Sequence, residues 1–482
     1  VIEIQVVNNL TRRKEALRTI EPGHVRMYAC GVTTYDHCHV GHAMQAIYWD
    51  IIRRYLEFAG YRVTYVRNYT DVDDKIINRA KERGISPAAL AEDMVQSSER
   101  DMAEVGVKPP HHAPRVSHMI PQIIAMIEQL IQNGAAYATS DGDVFYRVSA
   151  KSDYGKLSNT KVSELRTGTR DIAGGKKEDE LDFALWKSDQ AEGASWSSPW
   201  GLGRPGWHIE CSAMAKELLG PSFDIHGGGR DLIFPHHENE IAQSESANKA
   251  PFASYWLHSG LLTINRQKMS KSLGNHLMIS DFLQEWPPEV LRISILQHHY
   301  SSNIDFSNQV FAQGLSRLLY YYRTIRDLQK FSSGAPASAG FEQTVVADFN
   351  RCMSDDFNTA AALGDMNKHF RAANELVKKK RTPENQQLAA RYQSTFQHVL
   401  GSVFGLLAED PDSFIDTLRD RALRELNMTR TQVEERIRAR RSARDQKDFA
   451  QADAIRKELA EKGIELMDGV DGTDWTIRTS ES

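Results

Sequence analysis

Val25-Arg26-Met27-Tyr28-Ala29-Cys30-Gly31, then Asp36-His37-Cys38-His39-Val40-Gly41-His42, then the run from Ala43 to Ala59, is the stretch whose reading decides the fold. Its first piece is an apolar run ending at a glycine, which predicts a buried strand over 25–30 closed by a turn at Gly31. From Ala43 onward apolar residues return at helical spacing (Ile47, Ile51, Ile52, Leu56), and Gly60 supplies the stop. Arg62 to Arg67 reads as a second strand. Strand, loop, helix and strand in so short a span make a βαβ unit, which implies a parallel sheet. Ligands on such sheets sit beyond the carboxyl ends of the strands. Cys30, the 37–42 loop and residues 68–74 all fall there.

Working outward, the character changes between Pro114 and Trp200. An amphipathic helix over Ile120 to Gln132 precedes short strands, and Gly174 to Glu180 reads as a mobile loop. This stretch is an insertion. Alternating strand and helix patterns resume from Gly206 to Leu262, and helical periodicity dominates beyond Asp281, with a loop at Ser332 to Gly340. Near the end, Glu434 to Glu461 is a polar helix or helical hairpin. It carries Arg436, Arg438, Arg440, Arg441, Arg444 and Lys447 against only Asp445 in that stretch. Two strand-like pieces, 463–466 and 475–478, follow. The expected division is 1–115 and 201–262 as two halves of one domain, 116–200 as the insertion, 263–315 as a lysine-bearing loop and its continuation, 316–409 as a helical bundle and 410–482 as a small C-terminal domain. The fold class is α/β: a doubly wound parallel, Rossmann-like domain with an insertion, then helices.

Composition bounds the function. The chain has 482 residues, 41% of them hydrophobic and 26% charged, as in ordinary globular proteins. Its formal net charge of −5 excludes a global basic field, so any nucleic-acid contact uses a local patch. Four cysteines in such a length make no disulfide framework and suit a reducing compartment. No apolar run approaches the ~18 residues of a membrane helix, and Val1 to Leu10 lacks the pattern of a signal peptide. The expectation is a cytoplasmic protein with no membrane contact and no obligate protein partner.

Two motifs carry chemistry. The 36–42 loop leads from a strand into a helix, where free backbone N–H groups and the helix dipole favour phosphate. Gly41 admits a ligand close to the backbone, and His39 and His42 share one face of the first turn, placed to donate to phosphoryl oxygens. Lys268-Met269-Ser270-Lys271-Ser272-Leu273-Gly274 sets two lysines around small hydroxyl residues, suited to neutralising charge on a leaving pyrophosphate. Taken singly, the first is also a solvated histidine loop and the second a charged surface turn. Together, in this order and with no P-loop signature, they read as a two-part ATP clamp with His39, His42, Lys268 and Lys271 as its catalytic residues.

The pair resembles the two signature motifs of class I aminoacyl-tRNA synthetases. Tyr28-Ala29-Cys30-Gly31, Asn68-Tyr69-Thr70-Asp71-Val72-Asp73-Asp74-Lys75, Gly206-Trp207-His208-Ile209-Glu210-Cys211-Ser212 and Phe234-Pro235-His236-His237-Glu238-Asn239-Glu240 are similar to the cysteinyl-tRNA synthetase family, over nearly the whole chain. The resemblance implies ATP-dependent activation of L-cysteine and its transfer to tRNA(Cys). It also implies one Zn²⁺ held by Cys30, Cys211, His236 and Glu240. From the residues alone, two buried cysteines and a surface His/Glu pair is the simpler reading, since no C-x-x-C is present. A zinc ion has a purpose in such an enzyme, because cysteine and serine differ too little in volume to be separated by packing. Mg²⁺ is expected with ATP.

Further roles follow as expectations. Gly31, Thr70 and Trp207 would line the cysteine pocket, Thr70 meeting the amino group and Trp207 either walling the pocket or packing in the core. The glycines of Gly227-Gly228-Gly229 would admit an adenosine, and Asp231 would accept a ribose hydroxyl or the substrate ammonium. Arg230 departs from the family's usual small residue. Asp71, Asp73 and Asp74 read as helix caps, Cys38 as packed or oxidation-sensitive, and Cys352 as structural. The basic C-terminal stretch, with Trp475 to stack on an unpaired base, would read the anticodon. Two rivals are a cysteine ligase acting on an amino sugar, which would lack that basic end, and an inactive RNA-binding relative, which intact His39, His42 and Lys271 argue against.

Overall fold

The 25–30 run is the middle of a longer strand, His24–Thr33, that passes straight through Gly31. No turn closes the strand there. Its pairing slips between Ala29 and Val32 instead, and a Cβ on Gly31 would stand 1.6 Å from the carbonyl oxygen of Asn68. Close approach of two backbones, rather than a turn, is what demands glycine.

In the computed structural model, which describes residues 2–161, 177–189, 193–268, 276–334, 340–469 and 472–477, this strand is central to a four-stranded sheet. The order is Ala253–Ser259, Phe223–Gly229, His24–Thr33, Arg62–Thr70, and every pairing is parallel. All four carboxyl ends therefore open on one edge. The chain forms two compact units: Val1–Pro288 with His298–Asp305 and Asn350–Ala362, and Glu289–Gln297 with Phe306–Phe349 and Leu363–Ser482.

The first long helix is Val40–Phe58, and it starts earlier than the apolar period indicates because His39 caps it. The His39 side chain accepts from Gly41 N–H and the His42 side chain accepts from His39 N–H, a reciprocal capping box built from imidazoles. Gly60, at φ 95°, ends the element.

The insertion is a five-stranded antiparallel sheet that runs from Ala136 to Pro205, past the boundary expected at 200. Its Ile120–Gln132 helix falls where the amphipathic pattern puts it. One apolar core joins sheet and insertion, from Tyr28 and Val66 through Ile127 and Trp186 to Met214 and Trp256.

In the second unit, the 434–461 region is a helical hairpin, Arg430–Asp445 and Phe449–Glu461, followed by a β-hairpin of Ile464–Gly469 and Gly472–Ile477. Leu423, Val433, Leu459, Ile464 and Trp475 make its small core. Two expectations fail here. Trp475 is only 6% exposed, with the Arg419 guanidinium 4.7 Å over its ring, so it is a core residue and not a stacking platform. Arg440 is 5% exposed and makes a bidentate pair with Asp468 at 2.7 and 2.8 Å. Arg436 pairs with Glu458 and Arg444 with Asp468. Half the expected basic face holds the hairpins together, leaving Arg438, Arg441 and Lys447 exposed and, among the described residues, without an ion pair. Arg478 and residues 174–176 of the expected loop lie outside the described residues, and no described helix is long and apolar enough to cross a membrane.

Candidate active site and metal centre

The nucleotide side begins at the capping box. With both Nδ1 atoms accepting backbone N–H groups, the neutral tautomers of His39 and His42 carry their protons on Nε2. The two rings stack at 3.7 Å. Burial and then the neighbouring His39 hold the His42 pKa well below the usual value, so it is a neutral donor at pH 7. Cys38 donates to the Ser98 hydroxyl, and burial pushes its thiol up to about 11, which makes it a packed thiol and not a reactive one.

The chain leaving the lysine motif returns to this loop. Val40 N–H donates to the Leu277 carbonyl and Ile279 N–H to the Cys38 carbonyl, at 2.9 and 3.1 Å. The His276 ring meets His39 edge-on at 5.2 Å. Lys268 lies in a short strand whose backbone pairs with Thr263. Lys271 lies outside the described residues.

On the other side of the sheet four donors converge. Cys30 comes from the central strand, Cys211 from the Trp207–Leu219 helix, and His236 and Glu240 from the turn and helix over 233–248. Their ligand atoms all lie within 4.8 Å of one another, and each residue is at most 6% exposed. Cys30 Sγ is 3.9 Å from Cys211 Sγ and 3.5 Å from Glu240 Oε1, and His236 Nε2 is 2.9 Å from that oxygen. Two sulfurs bound at 2.3 Å to one tetrahedral ion stand about 3.8 Å apart. Two thiols, an imidazole and a carboxylate at this spacing suit Zn²⁺.

A second grouping, Cys30, His226, His237 and Glu240, shares two of these donors. It offers one sulfur where the first offers two, and its histidines read better as outer partners. His226 Nε2 meets Glu240 Oε2 at 2.8 Å, His237 Nε2 meets Cys30 Sγ at 3.4 Å, and His208 Nδ1 meets His236 Nδ1 at 2.9 Å. Every donor but Cys211 thus has a histidine behind it, the arrangement that orients metal ligands. Against the burial that opposes it, the Glu240 carboxylate raises the His236 pKa to about 10, a charge balance a cation would replace. Sequence reasoning missed His208, His226 and His258, the last of which meets His237 Nδ1 through Nε2 at 2.8 Å. Their one signal is the density of histidine around the two motifs that supply Cys211 and His236.

The residues expected to line a cysteine pocket lie beside the Cys30 cluster. Gly31 N–H donates to Asn68 Oδ1 at 2.9 Å, and Asn68 Nδ2 donates to the Thr70 hydroxyl at 3.3 Å. Trp207 is 40% exposed, and its ring lies 4.2 Å from that of His236, which removes the core-packing alternative. The glycine triplet also has a packing use that the sequence does not show. A Cβ on Gly227 would strike the Trp49 ring at 2.5 Å, and one on Gly228 would strike the His237 ring at 2.6 Å. Successive residues of a strand face opposite sides, so these glycines are a thin partition between the histidine helix and the metal side. Gly229 lies under Asp231, which is exposed at the carboxyl edge. Arg230 donates to the Ser301 carbonyl at 2.6 Å. Of the three acids, only Asp73 caps a helix, at Lys75 N–H. Asp71 accepts from Ser117, and Asp74 pairs with Lys187 and Arg204.

Residues 16–316 match the family model of the tRNA synthetases class I (C) catalytic domain, and residues 348–408 match that of the DALR domain. The cysteine–tRNA ligase of Syntrophotalea carbinolica is 47% identical over 99% of this chain and all of its own length. The chain belongs to the cysteine–tRNA ligase family. The ligase of Geobacter metallireducens is 45% identical over 99% of this chain and all of its own. Among solved structures, Mycobacterium tuberculosis methionyl-tRNA synthetase in complex with methionyl-adenylate covers 85% of this chain and 95% of its own, with a TM-score of 0.60 at 16% identity, a likeness of fold. In this chain the DALR match falls within the segment expected as the 316–409 bundle and stops short of the 410–482 module.

Proposed function

We propose that this chain activates L-cysteine with ATP at one edge of its parallel sheet, using the histidine and lysine motifs for phosphate and the Cys30 cluster for the thiol. The observation that carries the reading is the convergence of Cys30, Cys211, His236 and Glu240 beside Gly31 and Thr70, with Cys30 on the strand that leads into the His39–His42 loop. A cysteine carboxylate oxygen attacks the α-phosphorus of ATP, the bond to pyrophosphate breaks, and the mixed anhydride forms. A ribose hydroxyl of the terminal adenosine of tRNA(Cys) then attacks the carbonyl carbon and AMP leaves.

No protein nucleophile is needed, so positioning and electrostatics carry the rate. His39 and His42 donate through Nε2–H to phosphoryl oxygens, Gly41 keeps the backbone within reach, and Lys268 and Lys271 offset charge on the leaving pyrophosphate, with Mg²⁺ on the triphosphate. Asp231 accepts a ribose hydroxyl. Thr70 and Gly31 hold the substrate backbone, and Trp207 walls its side chain. A zinc ion on Cys30, Cys211, His236 and Glu240 supplies a contact that favours thiolate over the hydroxyl of serine. The 263–315 region serves the acceptor stem and 410–482 the anticodon. Four buried free thiols fit a cytoplasmic setting.

The test is ATP–pyrophosphate exchange with cysteine or serine, followed by charging of tRNA. Exchange with cysteine and not serine, and acceptance by tRNA(Cys), is expected. Equal exchange with serine sinks thiol selection, and exchange without charging transfers the adenylate to another acceptor.

A further inference from the structure

The helix bearing Glu240 has a second face with a task of its own. Towards the sheet it presents Glu240, and towards the Trp207–Leu219 helix Gln243, which donates to the His208 carbonyl and the Ser212 hydroxyl, both at 2.9 Å. On another side the insertion grips it. Glu238 Oε2 accepts two consecutive backbone N–H groups, Leu157 at 3.1 Å and Ser158 at 2.8 Å. Asn239 Oδ1 accepts the Tyr154 hydroxyl at 2.5 Å. About two turns further along, Glu245 pairs with Lys151 and Lys156 at 2.8 and 2.6 Å.

Glu238 is 1% exposed. A carboxylate is tolerated in such a place only when hydrogen bonds repay its desolvation, and backbone N–H groups do this well. Its bonds reach the insertion and none of the four metal donors. The helix start needs outside support. Ile233–His237 is a wide π-type turn, and Glu238–Asn248 begins without a side-chain cap. Without a fixed rotation about the helix axis, His236 and Glu240 would not stay opposite Cys30 and Cys211.

We propose that residues 154–158 of the insertion are a clamp that sets the metal-binding geometry, with Glu238 as the principal positioning residue and Asn239 as its second contact. This rests on the assignment of Cys30, Cys211, His236 and Glu240 as the metal holders. Glu238 touches neither metal nor substrate and acts through the orientation of its helix.

The experiment uses the zinc-loaded full chain and follows zinc transfer to a coloured chelator, beside the KM values for cysteine and ATP in exchange. Glu238→Ala is expected to release zinc about 10–100-fold faster, the scale of losing an outer partner. It is expected to raise the KM for cysteine while leaving that for ATP within about twofold. Glu238→Gln keeps an oxygen to accept both N–H groups and is expected to recover most of the loss. Tyr154→Phe, which keeps the ring, is expected to release zinc several-fold faster. Wild-type release rates in a folded Glu238→Ala overturn the proposal, even if its thermal stability falls. If that variant does not fold, a wild-type release rate in Tyr154→Phe overturns it. Absence of zinc from the unmodified chain is a different result, and it defeats the metal assignment itself.

Discussion

The N–H of Val40, the first residue of the leading helix, donates to the carbonyl of Leu277 at 2.9 Å. This bond and its companion from Ile279 to Cys38 stitch the exit of the lysine motif to the histidine loop. The described chain just beyond the lysine motif is therefore fixed to the histidine loop. Val40→Pro deletes the donor at the one helical position where proline is at home, after a residue already extended at φ −104° and ψ 168°. Helix content should be unchanged by circular dichroism. Cysteine-dependent exchange should fall several-fold, mainly through a higher KM for ATP. Unchanged exchange would mean the stitch does not serve the lysine motif. Lys271→Ala, by comparison, should cost at least ~100-fold in exchange, the scale of losing one preorganised charge donor.

Cys211→Ser should strip zinc and raise the KM for cysteine at least about tenfold while ATP binding survives. The glycine partition separates the metal side from the histidine helix, so damage should not cross it. Glu240→Gln keeps shape and removes charge, so it should weaken retention without unfolding the helix. Elemental analysis of both variants and of freshly purified protein checks this. A zinc-replete Cys211→Ser would favour the alternative donors His226 and His237.

Gly228→Ala tests the partition directly. The new methyl would meet the His237 ring at 2.6 Å, and displacing a side chain in a filled core costs about 1–3 kcal/mol. Because His237 backs Cys30, zinc release should quicken together with the loss in melting temperature. A variant that melts lower but holds zinc normally would reduce the glycine to packing alone.

The βαβ unit, the 120–132 helix and the C-terminal hairpins were legible in the sequence because hydrophobic period and turn residues act locally. The metal cluster was legible only through resemblance. Cys30, Cys211 and His236 arrive from three separate elements, and no spacing rule joins them. The shell of His208, His226 and His258 is invisible for the same reason. Gly31 was misread as a turn: glycine signals a missing side chain, and the sequence does not say whether a turn, a ligand or another part of the chain takes the space. Trp475 and Arg440 failed because their partners, Arg419 and Asp468, lie elsewhere in the chain.

Acid should destabilise the protein at milder pH than its carboxylates require. Burial is the first cause that lowers the pKa values of His42, His208 and His258, the last two to about 3. A histidine held neutral in the folded state binds a proton only after unfolding. Its contribution is intact above the unfolded value near 6.5 and is lost progressively as pH falls below it, by about 1.4 kcal/mol per pH unit for each group. Urea unfolding at pH 7.5 and 5.5 should therefore show a loss of up to about 4 kcal/mol from these three groups. Stability that holds steady down to pH 5 would mean these histidines are charged or solvated.

Arg440 and Arg441 are neighbours in sequence with opposite fates, and separating them tests whether the C-terminal module meets RNA. Arg440 is buried against Asp468, so Arg440→Ala should leave that carboxylate without its bidentate partner. Asp468 is 41% exposed, which reduces the cost from that of a fully buried pair to about 1–2 kcal/mol. The module should melt earlier, and any fall in tRNA affinity should follow from that. Arg441 is exposed and has no ion pair among the described residues. Arg441→Ala should leave stability within about 0.5 kcal/mol of the original. If Arg441 meets a phosphate, its loss should weaken tRNA binding and lower the slope of log affinity against log salt by roughly one. Filter binding of tRNA(Cys) over a range of salt concentrations, beside thermal melts of both variants, decides between them. A slope that falls with Arg440→Ala and not with Arg441→Ala would reverse the assignment and put the RNA on the Asp468 side of the hairpin.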